Sequence, residues 1–211
     1  MARKPAEQSV HRDDILQAAA DVLQEQGYEA TTMKDIASRV NLTAASLYHH
    51  FKNKDFLLLA VIERGLQEAI KIIEPIVQSD LNASEKLTDM VHTHVEAITG
   101  NPSVGAALVF EIKSLVSVTT AGRGSGDELE YIERRDKFFK DRDYFERMFR
   151  ETIKSGIATG EFRQVDPAIF AKSMLGAQNW VGVWYNPNGR FNGQEIAEMI
   201  VDTFLTSLKA R

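Results

Sequence analysis

The stretch Thr32–Lys54, TMKDIASRVNLTAASLYHHFKNK, leaves fewer structural options than any other in the chain. It reads as helix, tight turn, helix. Thr32 is placed to cap the first helix, with Asp35 three residues on as its capping-box partner. Ile36, Ala37 and Val40 recur at helical spacing and give that helix one apolar face. Asn41 stands where the chain must reverse, and asparagine accepts a left-handed backbone better than most residues with a side chain. Thr43 caps a second helix that turns Leu47 inward, with Phe51 just beyond it. What remains outward is small or polar: Ala44, Ala45, Ser46, Tyr48 and His49.

Two readings fit this pattern. In one, the small residues let a helix lie deep in a DNA major groove, while hydroxyls and imidazoles bond to phosphates and base edges. In the other, the pair is a local piece of an ordinary all-α core. Local charge favours the first. Lys34, Arg39, Lys52 and Lys54 face Asp35 alone, in a chain whose net charge is −5. The acidic total does not oppose contact with DNA, because steering depends on the field of the contact face. It does oppose a chain that coats nucleic acid indiscriminately.

At these residues the chain resembles a known family. GYEATTMKDIASRVNLTAASLYHHFKNKDFLL is similar to the N-terminal domain of the TetR family of bacterial transcriptional regulators. The matching features are Gly27-Tyr28, the Thr32 cap, Ile36-Ala37, Leu47-Tyr48-His49-His50-Phe51, and Lys54. Two positions depart from the family pattern. Asn41 replaces the usual turn glycine, and Ala44 stands where a polar residue is common, removing one base contact. The resemblance implies double-stranded operator DNA as a partner. Thr32, Lys34, Thr43, Ala44, Ala45, Ser46, Tyr48, His49, Lys52 and Lys54 are then the DNA-contacting residues.

The flanking sequence predicts a wholly helical chain. Ile15, Ala18, Ala19, Val22 and Gln26 mark a first helix from about Val10, ended by Gly27. Asn53 caps a fourth helix whose first residue is Lys54, which pairs orphan backbone N–H groups with an ammonium. Leu57 to Ile62 are apolar all round, as expected of a helix buried on more than one side. Pro75 bends or ends it. Asn82 and Glu85 cap a fifth helix with Leu87, Met90, Val91, His94, Val95 and Ile98 inward. Asn101-Pro102 opens a sixth, with Val104, Leu108, Ile112 and Leu115 inward and the carboxylate Glu111 among them. The Gly-rich segment Thr119–Asp127 is a linker by composition, and its glycines match no phosphate-binding loop.

An aromatic seventh helix then runs from about Asp127 to Ser155, with Phe138 and Phe145 near Arg135 and Arg142. The arginines either cover apolar surface with their stems or form an anion site beside an apolar tunnel. An eighth helix opens at Asp166-Pro167 and carries Gln178, Trp180 and Trp184, the tryptophans offering large buried area. NPNG (186–189) is a turn, and a last helix carries Ile196, Met199, Ile200, Phe204 and Leu208. Two such terminal helices suit a homodimer closed as a four-helix bundle.

The expected architecture is therefore all-α, with about nine helices. A helix-turn-helix DNA-binding domain spans 1–54, and a ligand-binding and dimerisation domain spans 55–211. His94, Glu111, Arg135, Phe138, Arg142, Phe145, Gln178, Trp180 and Trp184 are the candidate effector residues. YIERRDKFF, GEF and WYNPNG resemble the acyl-CoA-responsive members of the family, which implies an acyl-CoA, aromatic or lipid effector. A neutral, drug-like effector suits the aromatics equally well. The resemblance implies a repressor released from a palindromic operator by its effector.

Other functions have less support. An all-α enzyme would need a nucleophile elbow, a histidine dyad or a ligand cluster, and none is present; His92 and Glu96 alone make a poor metal pair. No catalytic residue, cofactor or metal is expected. A DNA binder without an effector is the remaining alternative. The absence of cysteine excludes disulfides and thiol catalysis. MARKPAEQSVHRDD lacks the apolar run of a secretory signal, and no apolar stretch nears the roughly 18 residues of a membrane span. The expected location is the bacterial cytoplasm, at the nucleoid. Arg3 and Lys4 lie in a leader that either reaches DNA as a basic arm or stays solvated.

Overall fold

The computed structural model describes residues 11–110 and 126–209. Within them the chain forms nine helices in the order α1 (Arg12–Ala30), α2 (Met33–Arg39), α3 (Ala44–His50), α4 (Lys54–Gln78), α5 (Ala83–Gly100), α6 (Pro102–Phe110), α7 (Gly126–Thr159), α8 (Pro167–Trp184) and α9 (Gly193–Leu208). Arg3, Lys4, Glu111, Ile112, Leu115 and most of the Gly-rich linker lie outside the described residues.

Helix boundaries follow the capping chemistry. Thr32, Thr43, Asn53, Asn82, Asp166 and Asn192 each accept backbone N–H groups of the helix they begin. Asn41 adopts φ 57, the left-handed conformation that the reversal between α2 and α3 requires. Gly27 breaks the helix as expected: it takes φ 74 and ψ 166, outside the helical range, and a short further turn beyond this kink carries α1 to Ala30. The Gly27 carbonyl still accepts the Thr31 N–H at 3.2 Å and the Thr31 hydroxyl at 2.8 Å, which closes one more turn.

α4 is the axis of the molecule. Its segment from Leu57 to Ile62 is at most 3% exposed, and the helix packs against α1, α5, α6 and α7. Each of those large apolar side chains contributes roughly 1.5–3 kcal/mol by leaving water. Pro75 does not end the helix, which continues to Gln78. α5 is enclosed by α4, α7, α8 and α9. α6 crosses α8 closely, because a Cβ at Gly182 would lie 3.0 Å from the Gly105 backbone.

The Trp pair is not buried within a single chain. Trp180 and Trp184 are each 51% exposed. α8 instead turns Ala171, Met174, Gln178 and Val181 into the core at spacings of three and four, which leaves both tryptophans outside that face. In α9, Ile196 and Leu208 are buried, but Met199 is exposed.

Candidate functional site

The outward surface of the reading pair is organised by its own caps. In α2, the Asp35 carboxylate accepts the Thr32 backbone N–H at 3.0 Å and the Thr32 hydroxyl at 2.6 Å. Those bonds hold the Asp35 carboxyl below the usual carboxylate range. In α3, the Thr43 hydroxyl oxygen accepts the Ser46 N–H at 3.0 Å and lies 2.8 Å from the Ser46 hydroxyl. Leu47 and Phe51 anchor the helix in the core. Thr32, Lys34, Thr43, Ala45, Tyr48 and His49 are exposed, and Ala44 and Ser46 are half-buried. The reading face thus presents two methyl groups, a few hydroxyls, a phenol and an imidazole.

The cations of this region are less free than their count suggests. Arg39 makes a bidentate pair with Glu25 of α1, at 3.0 and 2.5 Å. Lys52 donates to both Asp127 and Glu130 of α7, each at 2.6 Å. Glu25, Asp127 and Glu130 are remote in sequence, so a local count of charges misses all three. Lys54 keeps a different arrangement. Its ammonium donates to the Tyr28 carbonyl at 2.7 Å and sits 4.1 Å from the Tyr28 ring centroid. One of three N–H donors is thereby fixed, and the others have no hydrogen-bond partner among the described residues.

Behind this face lies a junction of α1, α4 and α7. The Tyr28 hydroxyl donates to Asp55, and burial followed by the Asp55 charge raises the Tyr28 pKa. Tyr131 packs edge-on against Phe56 at 5.5 Å. Burial, with Asp55 nearby, pushes its phenol up to about 12, and its hydroxyl is enclosed with no hydrogen-bond partner among the described residues. Arg134 pairs with Glu63 and lies over the Phe56 ring at 5.7 Å. The start of α7 therefore grips the start of α4.

The second candidate site is a cavity of about 270 Å³. Leu66 and Ala69 of α4, His94 of α5, Leu108 and Val109 of α6 form part of its wall. Phe138, Arg142 and Phe145 of α7, with Gly176, Asn179 and Trp180 of α8, complete it. A smaller space of about 60 Å³ shares Ala69, His94 and Leu108 and extends to Asn101 and Gly105. Asn101 in turn exchanges two amide hydrogen bonds with Gln17 of α1, at 3.1 and 2.6 Å.

His94 is the polar centre of this wall. Its Nδ1 lies 3.1 Å from Oε1 of the fully buried Gln178, and its ring meets Phe145 edge-on at 5.1 Å. Burial lowers its pKa to about 4, only partly offset by the Gln178 bond, so the imidazole is neutral near pH 7. Arg142 is exposed and makes no ion pair among the described residues.

Of the candidate effector residues, the cavity brings together His94, Phe138, Arg142, Phe145 and Trp180. Gln178 stands behind His94. Arg135 pairs with its neighbour Asp136 and does not line the space. Seven residues from Arg142, it lies about 10 Å away along the axis of an α-helix. Trp184 does not line it either, and Glu111 is outside the described residues. Sequence reasoning missed Leu66, Ala69, Leu108, Val109 and Gly176, which carry no signal beyond apolar or small character, and the polar Asn179. No group of three or more His, Cys, Asp or Glu among the described residues is placed to hold a metal ion. No described helix is long and apolar enough to cross a membrane.

Residues 15–61 match the family described as bacterial regulatory proteins, tetR family, and residues 130–208 match the tetracyclin repressor-like C-terminal domain. The HTH-type transcriptional repressor KstR2 of Rhodococcus jostii (strain RHA1) is 27% identical over 95% of this chain and 92% of its own length. The TetR family regulator PfmR from Thermus thermophilus superposes with TM-score 0.78 at 28% identity, covering 93% of this chain and 99% of that one. AibR, solved in complex with isovaleryl coenzyme A and operator DNA, superposes with TM-score 0.73 at 27% identity over 90% of this chain and 96% of its own. Helix order, capped reading pair and relatives across nearly the full length agree: the chain belongs to the TetR family of bacterial transcriptional regulators.

Proposed function

We propose that this chain is a cytoplasmic, nucleoid-associated repressor that binds a palindromic operator as a homodimer and is released by a small effector. Its DNA-binding domain is 1–54 and its effector and dimerisation domain is 55–211. The observation that carries the proposal is α4. The same helix begins at the Lys54 clamp beside the reading face and lines the cavity with Leu66 and Ala69. A ligand that prefers one placement of α4 thereby shifts the population of DNA-competent chains.

Tyr48, His49, Lys52 and Lys54 contact phosphates, as do Thr32 and Lys34 at the start of α2. Thr43, Ala44, Ala45 and Ser46 meet base edges, and two copies read successive major grooves about 34–36 Å apart. The exposed aromatic side chains of α8, Trp180 and Trp184, with Met199 of α9, support burial against a second copy. The cavity falls just short of the ~300–1,000 Å³ typical of whole drug-sized ligands. It suits the acyl or ring portion of an acyl-CoA, with Arg142 near the phosphates. AibR, solved with isovaleryl coenzyme A, supports that class.

Operator selection from a random duplex pool, followed by titration with short- and medium-chain acyl-CoAs, tests the proposal. A palindromic motif whose complex dissociates on adding a thioester is expected. Equal affinity for all duplexes, or a complex that no member of the series disturbs, would overturn it.

A further inference from the structure

We infer that the cavity selects an effector carrying a hydroxyl group, which donates its hydrogen bond to Nε2 of His94. The inference rests on the reading of this cavity as the effector site and adds the chemistry that it recognises.

Gln178 is wholly buried. Its Nε2 donates to the Met174 carbonyl at 3.2 Å, and that bond fixes which way the amide faces. The opposite atom, Oε1, is the one 3.1 Å from His94 Nδ1. A carbonyl oxygen only accepts, so Nδ1 carries the proton. Burial keeps the ring neutral, leaving a bare lone pair on Nε2. Gln178 thus acts as a positioning residue that sets the tautomer of His94.

That lone pair is unused. His94 makes no other hydrogen bond among the described residues. The Tyr131 hydroxyl is the one fully enclosed side-chain atom left unpaired among them, so Nε2 is not sealed off. His94 is 5% exposed and lines both the main cavity and the smaller space behind it. A ligand in either space therefore lies against this residue. Phe138, Phe145, Leu66 and Leu108 make most of the wall apolar, and Arg142 and Asn179 are its other polar side chains besides the indole of Trp180. A ligand that is apolar throughout buries the lone pair without a partner. A ketone at that point sets acceptor against acceptor. A hydroxyl satisfies it, and such sites discriminate strongly against analogues that lack the donor.

The test uses the full chain and ligands matched in pairs that differ by one hydroxyl. Octanoic and hydroxyoctanoic acids, and cyclohexanecarboxylic and hydroxycyclohexanecarboxylic acids, each also as the coenzyme A thioester, are titrated calorimetrically. The best-placed hydroxylated member is expected to bind about 10- to 100-fold tighter than its partner. His94→Phe is expected to erase that preference. Equal affinity within every pair in the unmodified chain overturns the inference, and this result needs no variant to fold. Gly176→Trp grows a side chain from the cavity wall where a Cβ meets no atom within 4 Å, and is expected to weaken both members of a pair. Binding that survives Gly176→Trp unchanged places the ligand elsewhere and overturns the cavity reading itself, as does the absence of binding by every pair.

Discussion

The two ends of α4 are built by different means. At the reading end, short helices are fixed by side chains bonded to backbone groups a few residues away, as Thr32 is with Asp35 and Thr43 with Ser46. At the cavity end, long helices are fixed by aromatic packing, with Phe145, Phe149 and His94 in mutual contact around a single buried polar pair. The charges differ in the same sense. Lys52 and Arg39 at the reading end are held by carboxylates, whereas Arg142 at the cavity has no such partner among the described residues. At the reading end Lys52 and Arg39 are occupied by carboxylates. The other end leaves a guanidinium and an imidazole lone pair unused.

That difference can be broken with substitutions. Phe149 is fully buried at the cavity end, so Phe149→Ala should cost about 3–5 kcal/mol in denaturant unfolding. Thr43→Ala removes only a cap and should cost about 1 kcal/mol. Equal costs would show that the two ends are not built differently.

His94 sharpens the comparison through pH. Its folded pKa of about 4 lies below its ordinary 6.5, so the unfolded chain binds more protons between those values. Stability from this group is complete above about pH 6.5 and falls as pH drops toward 4, by an amount on the order of 3 kcal/mol. His94→Phe should flatten that part of the unfolding profile. An unchanged slope would mean that the imidazole is not buried neutral.

Smaller effects belong to the surface cations. Lys54→Ala should weaken binding to every DNA sequence and lower the salt slope by about one. Asp127→Asn with Glu130→Gln should free Lys52, raise DNA affinity modestly and steepen the salt dependence, because exposed ion pairs are worth about 0–1 kcal/mol. Anisotropy titrations over a range of salt read both. An unaltered slope in the double variant would mean that Lys52 does not reach phosphate.

What the sequence disclosed follows the same division. Caps, the Asn41 reversal and the buried run from Leu57 to Ile62 depend on neighbours within a turn or two, and these were legible. The partners of Arg39 and Lys52 were not, since Glu25 lies 14 residues away and Asp127 and Glu130 lie 75 and 78. At the cavity, the aromatic stripe of α7 pointed to the right wall. Periodicity alone could not separate Arg142 from Arg135, because both share one stripe and only Arg142 lines the cavity. Nor could it place Trp180 and Trp184, whose size suggested burial on a helix that buries its other face.

On the proposed function, the reading face and the cavity are coupled through α4. The most direct measurement is the affinity of the full chain for its selected operator with and without a saturating ligand that occupies the cavity, together with the ligand's affinity with and without operator. Coupling predicts that each weakens the other by the same factor, in the range of about 5- to 150-fold. A ligand that binds in the cavity and leaves operator affinity unchanged would contradict it.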